Sequence, residues 1–206
     1  MMDLYAWNTG NGQRGCIAVE EFGVPYKLTK VDLSKGEQKK PEFLAKNPMG
    51  QIPVLVDPDG PGGKPVTLSQ SGAILMYLAE KTGKFVPKDA VAKAKVLEWT
   101  MNACTDTAVT SGAIFQVSVA AKEKVPSIIE HFENRLVNYL RAFEGQLNGR
   151  KYLTGNDVTI ADLALFSIVN ARKPLIEKAG GMPNLLAWTG VMAAREPIQR
   201  ALKALA

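Results

Sequence analysis

The chain has 206 residues, 46% of them apolar and 22% charged, a balance that belongs to one ordinary globular domain or two small ones and excludes a disordered chain. Its net charge of +5 divides as +1 over residues 1–85 and +4 over 86–206, scattered apart from short pairs such as Lys39-Lys40 and Arg172-Lys173, so no basic stripe suits nucleic acid. No apolar run approaches the ~18 residues of a membrane span, and Met1-Met2-Asp3-Leu4-Tyr5-Ala6-Trp7-Asn8 lacks the basic and apolar regions of a secretory leader, so a cytoplasmic protein is expected.

Met2 to Ala6 reads as a short buried strand, closed by the turn Thr9-Gly10-Asn11-Gly12. Gln13 to Phe22 is predicted helical, with Cys16, Ile17, Ala18 and Val19 inward, and Gly23-Val24-Pro25 ends it. Tyr26 to Val31 follows as a strand, and so compact a β-α-β unit implies parallel pairing. After a short helix over Pro41 to Ala45, Ile52 to Asp57 and Val66 to Leu68 form an antiparallel pair around the turn-rich Pro58-Asp59-Gly60-Pro61-Gly62-Gly63. A third helix starts near Ser71, with Ala73, Ile74, Tyr77 and Leu78 on one face.

The order β-α-β-α-β-β-α is the thioredoxin-like arrangement and occupies residues 1–83; residues 84–89, with Pro87, are the linker; residues 90–206 read as all-helical. In that second part Phe132, Leu136, Tyr139, Leu140, Phe143 and Leu147 make a sustained apolar stripe, and Thr159-Ile160-Ala161-Asp162 has the form of a capping box. The predicted fold class is therefore α/β plus all-α: a thioredoxin-like domain followed by a helical bundle.

Four segments could carry chemistry. Thr9-Gly10-Asn11-Gly12 is either a plain turn with Asn11 as helix N-cap, or a helix N-terminus offering N–H donors to an anion or thiolate. In Gly50-Gln51-Ile52-Pro53-Val54-Leu55 the proline either sits harmlessly at a strand start or, if its peptide bond is cis, turns the Ile52 backbone toward an extended peptide-like ligand. Ser71, in Leu68-Ser69-Gln70-Ser71-Gly72-Ala73-Ile74, either caps the third helix or builds a carboxylate site there. Lys35-Gly36-Glu37-Gln38 is a polar loop without a signal of its own. Cys16 falls inside the first helix as a buried thiol, and Cys104 is far from it; with one His in the chain, neither a disulfide framework nor a metal site is expected.

Together these segments resemble the glutathione S-transferase superfamily over essentially the whole chain. Gln51-Ile52-Pro53-Val54-Leu55 is similar to its cis-proline strand, Gln70-Ser71-Gly72-Ala73-Ile74 to its γ-glutamyl site, and Thr154 to Asp162 to its C-terminal capping-box segment. Thr9-x-Asn11-Gly12 followed by Lys35-Gly36-x-Gln38 most resembles the Nu class, which contains bacterial glutathione-dependent disulfide-bond oxidoreductases. The resemblance implies a homodimer that binds glutathione, reduced or as the disulfide. Thr9 and Asn11 then lie near the sulfur, Gln38 meets the glycyl end, Ile52 beside Pro53 pairs with the cysteinyl backbone, and Gln70 with Ser71 holds the γ-glutamyl end. His131 stands where relatives send an Arg from the facing subunit, Gly10 where they often have Pro, and Gln70 where they often have Glu. The implied activity is thiol–disulfide exchange or conjugation to an electrophile; the alternative is an interaction module on the same fold with little catalysis.

Overall fold

A four-stranded sheet organises the first part of the computed structural model, which describes residues 1–206. Strand β1 (Met2–Ala6) is followed by helix α1 (Gly10–Phe22) and strand β2 (Tyr26–Lys30). Two 3-10 turns, Leu33–Lys35 and Glu37–Lys39, lead into the short helix α2 (Pro41–Leu44), then β3 (Val54–Asp57), β4 (Val66–Ser69) and α3 (Ser71–Thr82). The spatial order is β2-β1-β3-β4, with β1 parallel to β2 and the other pairs antiparallel. Leu4 of β1 stands between Leu28 and Leu55 in register. This is the predicted βαβαββα arrangement.

Met2, Leu4 and Ala6 alternate inward along β1, and Ile17, Val19 and Phe22 of α1 are fully buried, each of the three helix side chains contributing about 1.5–3 kcal/mol. Gly23 closes α1 at φ 68°, donating its N–H to the Glu20 carbonyl at 3.2 Å. Helix α3 is tied to the far end of the sheet by the buried Asp57, which accepts from Tyr77 Oη at 2.6 Å and Lys81 Nζ at 2.8 Å.

The remainder is helical: α4 (Ala90–Met101), α5 (Ala108–Phe115), α6 (Pro126–Gln146), α7 (Ile160–Ala171), α8 (Lys173–Lys178), α9 (Pro183–Ala193) and α10 (Glu196–Leu205). Wider π-helical turns over Asn102–Thr107 and Gln116–Ala120 follow α4 and α5. The stripe on α6 buries Leu136, Leu140 and Phe143. Helix α7 is buried from Ile160 to Val169, and its start carries the predicted capping box between Thr159 and Asp162.

One boundary differs from the sequence reading, which carried the helical domain through residues 90–206. The chain divides into two compact units: Met1–Lys84 with Ala193–Ala206, and Phe85–Met192. Helix α10 belongs to the first unit because its apolar face, Ile198, Ala201 and Leu205, is buried and its charges meet those of α1. Arg195 donates Nε and Nη2 to the two carboxylate oxygens of Glu21, each at 2.6 Å, and Arg200 Nε donates to Glu20 at 2.8 Å.

Asp162 is the polar hub of the second unit. Burial raises its carboxyl pKa, against the lowering effect of the donors around it: the Leu153 and Thr159 amides at 3.0 and 2.9 Å, Trp188 Nε1 at 2.9 Å and Thr159 Oγ1 at 3.1 Å. Asp162→Ala leaves these donors buried and unpaired, so urea unfolding should show a loss of about 3–5 kcal/mol. Asp162→Asn keeps one acceptor oxygen and should lose less. Equal stability of the alanine variant and the parent would refute the hub.

Candidate active site

The site is built where α1 leaves β1. Thr9, extended at φ −135° and ψ 164°, is the N-cap of α1, and its Oγ1 accepts the Gly12 amide at 3.1 Å. The cap is thus Thr9 rather than Asn11. Both residue types cap well, and the choice falls on the one whose oxygen reaches the amide three residues on. Helix α1 consequently starts at Gly10, three residues before the predicted Gln13, and the amides of Gly10 and Asn11 precede the first intrahelical acceptor. With Gly12 bonded to its oxygen, the Thr9 hydroxyl keeps its own proton as a donor.

Two glycines set how closely α1 seats. A Cβ at Gly12 would lie 2.0 Å from the Trp7 carbonyl oxygen, and one at Gly15 would lie 2.8 Å from Cβ of Pro53. Pro53 therefore packs directly on α1, and the Ile52–Pro53 peptide bond is cis. The Ile52 side chain is buried with Val31, Phe43 and Val54, against which Trp7 packs, while its backbone N–H and C=O form no hydrogen bond within the chain. The loop before it is shaped by buried Asn47, which donates Nδ2 to the Gln51 carbonyl at 2.6 Å and accepts the Met49 amide at 3.1 Å. Gln38 lies against this loop: a Cβ on Gly50 would come within 3.2 Å of the Gln38 carbonyl oxygen. Gln38 Oε1 is buried with no hydrogen-bond partner.

The start of α3 supplies the third wall. Ser71 is its first helical residue, not its cap; the cap position is Gln70, which makes no capping bond and holds φ 72°, ψ 113°. Strand β4 ends at Ser69 and α3 begins at Ser71, so the whole change of direction falls on one exposed, strained residue. Ser71 is buried, and its Oγ lies 3.5 Å from Asn11 Oδ1.

Between these two residues sits Arg14, 2% exposed, whose Nη1 donates to Ser71 Oγ at 2.8 Å and to Asn11 Oδ1 at 3.1 Å. Sequence reasoning missed it; the signal was an arginine three residues after Asn11 and next to the small apolar run Gly15-Cys16-Ile17-Ala18. The structure thus brings Thr9, Asn11 and Ser71 together through α1, and Ile52, Pro53 and Gln38 through the 47–53 loop. His131 belongs to the second unit, exposed on α6 with its ring edge-on to Phe132.

Residues 2–80 match the family described as "Glutathione S-transferase, N-terminal domain", and residues 111–204 match "Glutathione S-transferase, C-terminal domain". The chain belongs to the glutathione S-transferase family. It is 37% identical to the disulfide-bond oxidoreductase YfcG of Escherichia coli over 172 residues, 83% of this chain and 80% of that one. It is 34% identical to glutathione S-transferase F10 of Arabidopsis thaliana, covering 80% of this chain and 77% of the relative. A Burkholderia graminis glutathione transferase solved with two glutathione molecules bound per subunit superposes with a TM-score of 0.92 at 32% identity, over 98% of this chain and 88% of that one. A Pseudomonas putida glutathione transferase solved with one glutathione disulfide bound per subunit gives 0.90 at 29% identity, over 98% and 90%.

Two outcomes follow from the geometry. A Cβ at Gly10 meets nothing within 4 Å, its place is the first helical position, and Thr9 is already extended, so Gly10→Pro should raise stability by about 0.4–1 kcal/mol. Gly12→Ala should instead destabilise markedly, and the reverse order in thermal melts would contradict the seating of α1.

Cys16 is fully buried, and burial, reinforced by nearby Glu20, pushes its thiol from 9.0 up to about 12. It should resist iodoacetamide at pH 8 in the native protein and react on unfolding, as read by peptide mass. The unfolded thiol ionises first, so its contribution to stability is complete below pH 9 and is lost as pH rises toward 12. Rapid native labelling of Cys16 would show the helix to be open.

Proposed function

We propose that the chain binds glutathione and uses its thiolate to reduce disulfides. The reading rests chiefly on one observation: Asn11 and Ser71, at the N-terminal ends of α1 and α3, are joined through the buried Arg14. Two sets of helix N–H donors then serve one anionic ligand, with the thiolate at α1 and the γ-glutamyl carboxylate at α3. The turn before α1 holds no sulfur and Cys16 stays protonated, so the reacting sulfur comes from the ligand.

On this reading the Thr9 hydroxyl and the Asn11 amide donate to the glutathione sulfur and lower its pKa, which raises the thiolate fraction at neutral pH. The unpaired backbone of Ile52, beside Pro53, takes the cysteinyl backbone. Gln38, with its unsatisfied buried oxygen, takes the glycyl end, and Gln70 and Ser71 take the γ-glutamyl end. These groups fall within residues 1–83, joined through 84–89 to the helical part. The acting species is a cytoplasmic homodimer in which His131 reaches the ligand of the facing subunit.

The exchange needs two thiols. A glutathione thiolate attacks one sulfur of a small disulfide, forming a mixed disulfide and releasing one thiolate. A second glutathione thiolate attacks the glutathione sulfur of that mixed disulfide, giving glutathione disulfide and the second released thiolate. Two glutathiones are oxidised, one disulfide is reduced, and the two protons end on the released thiols. The likeness to YfcG, and to neighbours holding two glutathiones or one glutathione disulfide, favours this target over an electrophilic carbon.

With glutathione and hydroxyethyl disulfide as substrates, the variant with both Cys16→Ser and Cys104→Ser should keep most of its activity. Thr9→Ala with Asn11→Ala should lose about 10- to 200-fold, the rate equivalent of losing a hydrogen bond to a charged sulfur. A folded double-serine variant without activity would overturn the ligand-thiol mechanism. Stabilisation by millimolar glutathione without turnover would point to the interaction module, and no stabilisation by glutathione or its disulfide would sink the reading altogether.

A further inference from the structure

Arginine has five N–H donors and no acceptor. The group facing Arg14 from the Asn11 side must therefore be the amide oxygen, because the reversed amide would set NH2 against N–H. The contact of 3.1 Å from Arg14 Nη1 to Asn11 Oδ1 is the arrangement that this chemistry permits. With Oδ1 turned back to the buried guanidinium, the Nδ2 hydrogens of the exposed Asn11 side chain point away from it. An asparagine free to rotate presents oxygen as readily as nitrogen, and oxygen would repel a thiolate.

The same nitrogen acts on Ser71. Arg14 Nη1 donates to Ser71 Oγ at 2.8 Å, which occupies a lone pair and leaves the hydroxyl proton to be given elsewhere. Its partner inside the protein is Asn11 Oδ1 at 3.5 Å, a long contact that a carboxylate can displace. The guanidinium also polarises the amide it holds, since hydrogen bonds to a cation strengthen the donors beyond them.

We propose that Arg14 is a positioning residue for thiol activation: by holding Asn11 Oδ1 and Ser71 Oγ with one nitrogen, it turns the Asn11 N–H groups toward the sulfur and frees the Ser71 proton for the ligand carboxylate. This deepens, and rests on, the glutathione reading of the site. In this role Arg14 acts through the two side chains it holds.

The test is the ultraviolet thiolate absorbance of protein-bound glutathione as a function of pH, with circular dichroism and melting temperature as controls for folding. Wild-type protein should lower the bound thiol pKa below that of free glutathione. Arg14→Met should raise it by about 1–2 pH units, the equivalent of one hydrogen bond to a charged group. Arg14→Lys, which keeps the charge and a donor for Asn11, should recover part of that rise. Asn11→Asp keeps a partner for Arg14 but offers the sulfur no donor, and should raise the pKa at least as far as Arg14→Met.

A folded Arg14→Met variant with the wild-type thiol pKa overturns the role of Arg14, as does an Asn11→Asp variant with that pKa. No recovery in Arg14→Lys marks the loss as one of packing and also overturns it. If Arg14→Met does not fold, Arg14→Lys decides against the Asn11→Asp value: a rise part of the way toward that value upholds the role, and a pKa equal to wild type overturns it. Wild-type protein that binds glutathione without lowering its thiol pKa, or does not bind it, sinks the glutathione reading itself and the Arg14 role with it.

Discussion

At two points along α1 there is no room for a side chain: at Gly12, over the Trp7 carbonyl, and at Gly15, over the Pro53 ring. That seating brings the helix start down beside the end of β1 and places the Pro53 loop against the same helix. A helix lifted by one methyl at either point would draw away from the Trp7 carbonyl or the Pro53 ring. The site is a product of close backbone approach first and of polar side chains second.

Buried charge then holds α1 at both ends. Arg14 at its start joins it to α3, and Glu21 near its finish joins it to Arg195, which leads into α10, by a bidentate pair. Removing Arg195 would cost several kcal/mol, because the Glu21 carboxylate left behind is buried away from solvent. The helix is thereby fixed in rotation, and its rotation decides which way Asn11 faces.

The succession of elements through residues 2–82, the hairpin around residues 58–63, the stripe on α6 and the Thr159–Asp162 box were all legible, because each is a local pattern of period, turn residue or cap spacing. What escaped was long-range or balanced. Thr9 and Asn11 are both good caps, and only the reach of Thr9 Oγ1 to Gly12 separates them. Arg14 finds Ser71 across 57 positions of sequence, and Glu21 finds Arg195 across 174; no local window holds either pair. The strain at Gln70 was equally hidden, since glutamine does not announce a positive φ as glycine does.

The placement of α10 has a consequence for synthesis. Residues 85–192 are continuous and carry their own core, so they can close as soon as they clear the ribosome. The sheet and α1 emerge earlier, yet one face of α1 stays open until residues 193–206 arrive. At ~5–20 residues per second the wait lasts roughly 5–20 s. During it, the outer side of the helix that carries the site is the chain's exposed nascent surface, and the unit translated first is the one completed last.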